Sequence, residues 1–482
     1  MTETLEPRTV DFFAEKDLEN LQCQEDSTFN GTHANQTTIP LSVSKDVDEF
    51  TNEKKTNDNE KFEYDDDDSY PDGGYQAWLV VLGAFMGILP IWGIATSLGV
   101  LESHISEHQL ANVSSSVVSW IFSLHLMACS ACCVFSGAYF DRNGEAHSIL
   151  VGSVIFVFGI FMTSISTKLW HFVLAFSLCC GCATGVLVTP LLSCIATWFY
   201  RKRAIATGVA TIGSSIGGVV IPVTLRSLYA SAGFPWAIRV VGFMSAACLT
   251  LSTLLTRERI TPLREPFKTK KEAVKYYWSM IFNWRYFTDG KFVWCALALA
   301  IAENGVFLTG TYLSSYVVAH GYKVETGYTV LIVVNSCGIL GRYIPGYLAD
   351  HYFGRFNVVI VITAACVIAD AALWLPFGGK MAVLWVYAAI YGFLAGAIFS
   401  LTPVCIGQIS RTCEFGKRYS TAYLLVSLMT LVVIPIGGAL AGGKTIPEYN
   451  RLIIFTSALL LIAVVCYTMS RTLAVGWKLC KF

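Results

Sequence analysis

Residues 328–355 read YTVLIVVNSCGILGRYIPGYLADHYFGR, an apolar run that holds one fixed cation, Arg342, and closes on a turn through Asp350, Gly354 and Arg355. Read as a helix rising about 1.5 Å per residue, residues 327–350 are long enough to cross a bilayer, with Arg342 roughly 12 Å from the Asp350 end. A guanidinium at that depth is costly, so such residues usually face a bundle interior or a water-filled path and mark solute or ion routes. The plainer alternative is a structural ion pair. On either reading the segment is a membrane-spanning helix.

The rest of the chain has the same character. Of its 482 residues, 54% are hydrophobic and 14% charged, where soluble domains carry about 25% charged residues. The formal net charge of zero hides a split: residues 1–70 hold 19 Asp and Glu against 6 Lys and Arg, so that of 34 each the remainder holds 15 against 28. The cations fall between apolar runs and form no continuous stripe, which argues against a nucleic-acid module. Most of the 16 cysteines lie inside apolar runs, Cys129, Cys132, Cys133, Cys179, Cys180 and Cys182 among them. They read as small packing residues and not as a disulfide framework or a metal site. Residues 1–70 lack the apolar stretch of a cleavable signal and carry an acidic run at 65–68, so they read as a disordered cytoplasmic tail. Of the glycosylation sequons at Asn30, Asn35 and Asn112, only Asn112 would face outward.

Twelve runs of bilayer length follow, at about 76–99, 116–140, 148–166, 170–196, 204–230, 236–256, 292–319, 327–349, 357–376, 382–407, 419–441 and 451–470. An even number puts both termini on one side. Loops on that side, with the long 257–291 connection and the C-terminal tail, carry 20 Lys and Arg, and the opposite loops carry 5. The positive-inside rule therefore places both termini in the cytoplasm. Three cations lie within runs: Arg226 and Arg239 near outer ends, from which they can snorkel, and Arg342 at depth.

The two halves repeat at an offset of about 210 residues. GAYFDRNG at 137–144 answers to GYLADHYFGR at 346–355, Thr189-Pro190 to Thr402-Pro403, Arg203 to Arg418, and Ile221-Pro222 to Ile434-Pro435. The expected fold is an all-α membrane protein of twelve helices in two pseudo-symmetric six-helix halves. The organisation is a tail over 1–70, halves over 71–256 and 292–470, a linker over 257–291 and a tail over 471–482. Parallel halves with a long linker and a Gly-x-x-x-Asp-Arg-x-Gly turn resemble the major facilitator superfamily, in which solutes bind near the midplane between the halves. Glu145 stands where a basic residue is usual in that turn.

Pro71-Asp72-Gly73-Gly74-Tyr75 at the entry to the first helix, with Arg342 in the eighth, resembles the monocarboxylate transporter family. Asp72 is expected to favour the positive end of the helix that follows. Proton-coupled members carry a Lys in the first helix and an Asp one turn before the eighth-helix Arg; here those positions hold Thr96 and Gly338. Stretches at 137–144, 338–350, 354–357, 374–378 and 414–421 resemble the fungal branch of that family. The resemblance implies a plasma-membrane carrier of a small organic solute, riboflavin before a monocarboxylate. A sensor that does not transport is a further reading.

Residues for a site come from the helices themselves. Glu303 lies near mid-depth, within about 5 Å of the depth of Arg342, so a Glu303 to Arg342 ion pair is one expectation and a proton-carrying Glu303 another. Asn304, Phe307 and Thr311 continue a stripe on the same helix, and Trp92 and Thr96 share a face of the first. A flat isoalloxazine with a hydroxylated chain needs an aromatic to stack on and amides or hydroxyls to bond. The candidate substrate-binding residues are therefore Arg342, Glu303, Asn304, Phe307, Trp92, Thr96, Asn335 and Tyr391. Asp141, Arg142, Asp350 and Arg355 are candidates for gating loops. His125 reads as a packing residue, Asp370 as facing outer water, and Gly213, Gly217 and Gly218 as a close-approach face of the fifth helix. No phosphate loop, metal motif or nucleophile and base pair occurs, so neither an enzyme nor a cofactor is expected; the partners are a solute and the lipid bilayer.

Overall fold

The computed structural model describes residues 70–259, 269, 271, 284–410, 414–442, 445–478 and 480–482. The expected tail over 1–70, apart from Tyr70, the sequons at Asn30 and Asn35, and most of the 257–291 linker lie outside the described residues. The described chain is helical throughout, without a strand. Twelve helices are long and apolar enough to cross a membrane. They are α1 Tyr75–Thr96, α2 Val117–Asn143, α3 Glu145–Ser164, α4 Leu169–Trp198, α5 Arg203–Ser231, α6 Gly233–Leu255, α7 Gly290–Ala319, α8 Val324–Phe353, α9 Arg355–Phe377, α10 Met381–Gln408, α11 Phe415–Leu440 and α12 Ile446–Val475.

Hydrophobic length creates these helices, and local chemistry sets their ends. At Ser97, α1 stops and turns into a short helix, Leu98–Glu107, which leads to α2. The run expected to end near residue 99 is thus broken, with the Ser97 hydroxyl donating to Gly93 O at 2.6 Å. Gly144 and Gly354 lie at φ 74° and 83°, which only glycine adopts freely, and there the chain reverses between α2 and α3 and between α8 and α9. A Thr445 and Glu448 capping box opens α12, which runs past residue 470 to Val475 into the expected tail.

Packing follows the duplication. α1 packs on α5 as α7 does on α11, α2 on α4 as α8 on α10, and α3 on α6 as α9 on α12. Prolines repeat with it: Pro190 in α4 with Pro403 in α10, and Pro222 in α5 with Pro435 in α11. The halves meet along two seams, α2 against α11 and α5 against α8. Close approach needs glycine between α1 and α5: a Cβ on Gly93 would lie 2.7 Å from Gly217 Cα.

Asp72 does not serve the helix it precedes. Its Oδ1 accepts from Tyr200 N at 2.8 Å and Lys202 N at 3.1 Å, capping the start of α5. The left-handed turn at Asp72, φ 44°, and the glycines after it aim the carboxylate away from α1. At the other end, Phe482 O accepts from Phe356 N at 2.9 Å at the start of α9. Arg355 Nη2 donates to Tyr200 O at 2.5 Å, joining the α8–α9 and α4–α5 turns, so the described N- and C-terminal residues share one face.

Candidate functional site

Between the halves lies a central cavity of about 30 Å³, lined by Trp92 from α1, Cys129 from α2, Glu303, Asn304 and Phe307 from α7, Phe399 from α10, and Tyr423 and Thr430 from α11. Its volume is about that of one water, far below the roughly 300 Å³ at which small-molecule pockets begin. The site is therefore collapsed, and a solute enters it only if the halves separate. Its walls alternate rings and polar groups. The Phe399 ring lies 6.3 Å from Trp92 and 6.5 Å, edge-on, from Phe307. Glu303 is 5% exposed, and its Oε1 accepts from Tyr423 OH at 3.0 Å. Asn304 donates to Ala300 O at 2.9 Å and accepts from Thr430 Oγ1 at 2.9 Å.

Four of the eight expected binding residues thus meet in one cavity. Phe399 and Tyr423 were not anticipated. A usable signal was the repeated Thr402-Pro403 one turn beyond Phe399, and the i, i+4 pair Tyr419 and Tyr423 on α11.

Arg342 sits elsewhere. It is 6% exposed, its Nη1 donates to Ser215 Oγ on α5, and its Nε has no partner among the described residues. Among the described residues it makes no ion pair with Glu303, against expectation. The two match in depth but not in facing: Glu303 turns to α11 and Arg342 to α5. Gly338, one turn before Arg342, leaves room for the guanidinium, since a Cβ there would lie 3.2 Å from Nη1.

Thr96 and Asn335 form a third group, on either side of Gly218, where a Cβ would lie 2.6 Å from Thr96 Oγ1 and 2.7 Å from Asn335 Oδ1. Asn335 Nδ2 donates to Leu331 O at 3.0 Å and Gly218 O at 3.4 Å, bridging α8 and α5. Tyr391 is not a lining residue. It is 1% exposed, stacks 5.6 Å from Tyr387 and donates to Val306 O at 2.5 Å, which ties α10 to α7. Thr311 is exposed and bonds its own helix at Phe307 O. Asp370 does not face water: it is fully buried and accepts from Tyr387 OH at 2.8 Å, because the π-helical turn at Asp370–Trp374 rotates it inward. His125 packs as expected, stacked on Phe176 with Nδ1 3.0 Å from Phe176 O.

The expected gating residues lie on the face that carries the termini. Asp141 Oδ2 accepts from Lys417 N at 2.9 Å, and Asp350 Oδ2 accepts from Ile205 N at 2.9 Å. Each amide belongs to the third residue of the opposite half's helix, α11 or α5, so a carboxylate caps a positive helix end across each seam. Arg355 Nε donates to Asp350 at 3.1 Å, and Arg203 Nη1 crosses to Gly407 O at 3.1 Å. Arg142 occupies the last turn of α2, where a cation suits the helix dipole. These bonds join the two halves on this face. Among the described residues no group of three or more His, Cys, Asp or Glu is placed to hold a metal.

Residues 78–417 match the family model for the Major Facilitator Superfamily. The chain is 43% identical to the riboflavin transporter MCH5 of Saccharomyces cerevisiae over 89% of its own length and 85% of that protein's. It is 33% identical to the MFS-type transporter opdF of Penicillium oxalicum, over 85% of this chain and 93% of that one. It is 31% identical to the aspyridones efflux protein apdF of Emericella nidulans, over 86% and 80%.

Proposed function

The chain belongs to the major facilitator superfamily, and from that premise we propose that it takes up riboflavin across the plasma membrane by facilitated diffusion, through alternating access. Membership makes it a multi-pass membrane transporter and not an enzyme. The observation that carries the substrate is the 43% identity to a riboflavin transporter along 89% of the chain. The cavity supports it chemically. Trp92, Phe307 and Phe399 offer faces and edges for a flat ring. Asn304, Thr430 and Glu303 offer bonds for an imide and hydroxyls. Arg342, Asn335 and Thr96 extend polar contacts along the α5–α8 seam.

Lack of proton coupling follows from Thr96 and Gly338 at the positions where proton-coupled relatives have ionisable groups. The moving bodies are residues 71–256 and 292–470, joined by the 257–291 linker, with both termini and both tails in the cytoplasm. Asp141, Arg142, Asp350 and Arg355 hold the cytoplasmic gate, so the conformation described is closed to the cytoplasm.

The test is uptake of labelled riboflavin and labelled lactate in cells lacking their own carriers, at two external pH values, with Arg342→Ala beside wild type. Saturable riboflavin uptake, indifferent to pH and lost in the variant at equal surface expression, supports the reading. Lactate uptake that rises at low pH, with no riboflavin signal, replaces it with a proton-coupled monocarboxylate carrier.

A further inference from the structure

A second void is larger than the central cavity. On the face away from the termini, the ends of α5 and α8 part around a crevice of about 370 Å³, lined by Val100, Pro222, Val223, Arg226, Ser227, Tyr328 and Ile332. That volume is in the range of small-molecule pockets, whereas the central cavity is not. None of its lining residues is shared with the central cavity, so the two are separate compartments.

The walls suit an amphiphilic aromatic solute. Val100, Pro222 and Ile332 are apolar, and Tyr328 presents a ring with the Arg226 guanidinium 5.8 Å from its centre. Arg226 lies 3.8 Å from Glu325 across the seam, both side chains at least half exposed, an arrangement too solvated to hold the arginine firmly. Further in, α5 packs tightly: a Cβ on Gly218 would lie 2.6 Å from Thr96 Oγ1 and 2.7 Å from Asn335 Oδ1. Ser215 lies one turn further in on α5, and Arg342 two turns beyond Asn335 on α8. Apolar walls, one ring and a solvated cation thus line the crevice.

We propose that this crevice is a second, outer binding site for the transported solute: a flat aromatic ring packs against Tyr328 and Ile332, and a hydroxylated chain reaches Arg226 and Ser227. The inference rests on the riboflavin reading above. Solute waits there while the central cavity is collapsed, and passes inward when the halves separate.

Equilibrium binding of labelled riboflavin to the purified full-length chain in lipid nanodiscs tests it. Wild type binds two riboflavins per chain, and Ile332→Trp, which fills the crevice, binds one. Should Ile332→Trp fail to fold, Tyr328→Ala serves in its place and weakens one of the two sites about tenfold, the equivalent of about 1.4 kcal/mol. A single site in wild type, or two sites that neither substitution alters, overturns the crevice and leaves the riboflavin reading standing. No riboflavin bound by any form overturns both.

Discussion

The two seams between the halves are built on one plan and differ in one pair of residues. In each, a carboxylate at the end of an even-numbered helix caps the third amide of the opposite half's helix: Asp350 on Ile205, and Asp141 on Lys417. At α5–α8 the residue after the turn glycine is Arg355, which pairs with Asp350 at 3.1 Å and reaches Tyr200 O in the other half. At α2–α11 the equivalent residue is Glu145, which starts α3 and has the wrong sign to pair with Asp141. A duplicated fold can thus carry an unequal gate. The α5–α8 seam is anchored by a cap and an ion pair, and the α2–α11 seam has the cap of Asp141 on Lys417 with no counterpart of the Arg355–Asp350 pair among the described residues.

Removing the anchor has the largest expected effect. Asp350→Ala takes away a cap and leaves Arg355, whose side chain is 12% exposed, without its carboxylate. Loss of one member of a buried pair costs about 3–5 kcal/mol, so uptake falls to background, and a cysteine reporter on the cytoplasmic side of α5 becomes reactive to an impermeant reagent in inside-out vesicles. Asp141→Ala removes only a cap, worth about 1 kcal/mol. It lowers uptake several-fold, and the reporter is exposed less than in Asp350→Ala. Equal effects of the two would remove the asymmetry.

Glu145→Arg sharpens the comparison from the other side. It supplies a cation near Asp141 at a half-buried position, worth about 0.2–1 kcal/mol if valued as a surface pair, and should raise thermal stability slightly while slowing turnover. Tyr391→Phe is the control far from both seams. It loses one hydrogen bond to Val306 O, about 1 kcal/mol of stability, with the KM for riboflavin unchanged; a large rise in KM would return Tyr391 to the binding site.

Depth along the bilayer was legible in the sequence, and rotation about the helix axis was not. Apolar length marked every span, and the even number of spans pairs the ends of the described chain on one face, as the structure has them. Glu303 was found as a charge at depth, and Asn304 and Phe307 because positions three apart on one helix share a face wherever that face points. The Glu303 to Arg342 pair failed for the complementary reason. Equal depth says nothing about facing, and helices apolar on all sides carry no amphipathic stripe to reveal it. Asp370 was misjudged because a π-helical turn shifts the register of facing, and Phe399 and Tyr423 were missed because the helices that carry them are apolar on either side.

Counterflow in proteoliposomes tests the central claim most directly. Vesicles holding the purified chain, preloaded with unlabelled riboflavin and diluted into a trace of labelled riboflavin, should accumulate label transiently with no ion gradient, and at the same rate with or without a protonophore. No overshoot with riboflavin inside, or an overshoot that requires a proton gradient, would contradict an uncoupled riboflavin carrier.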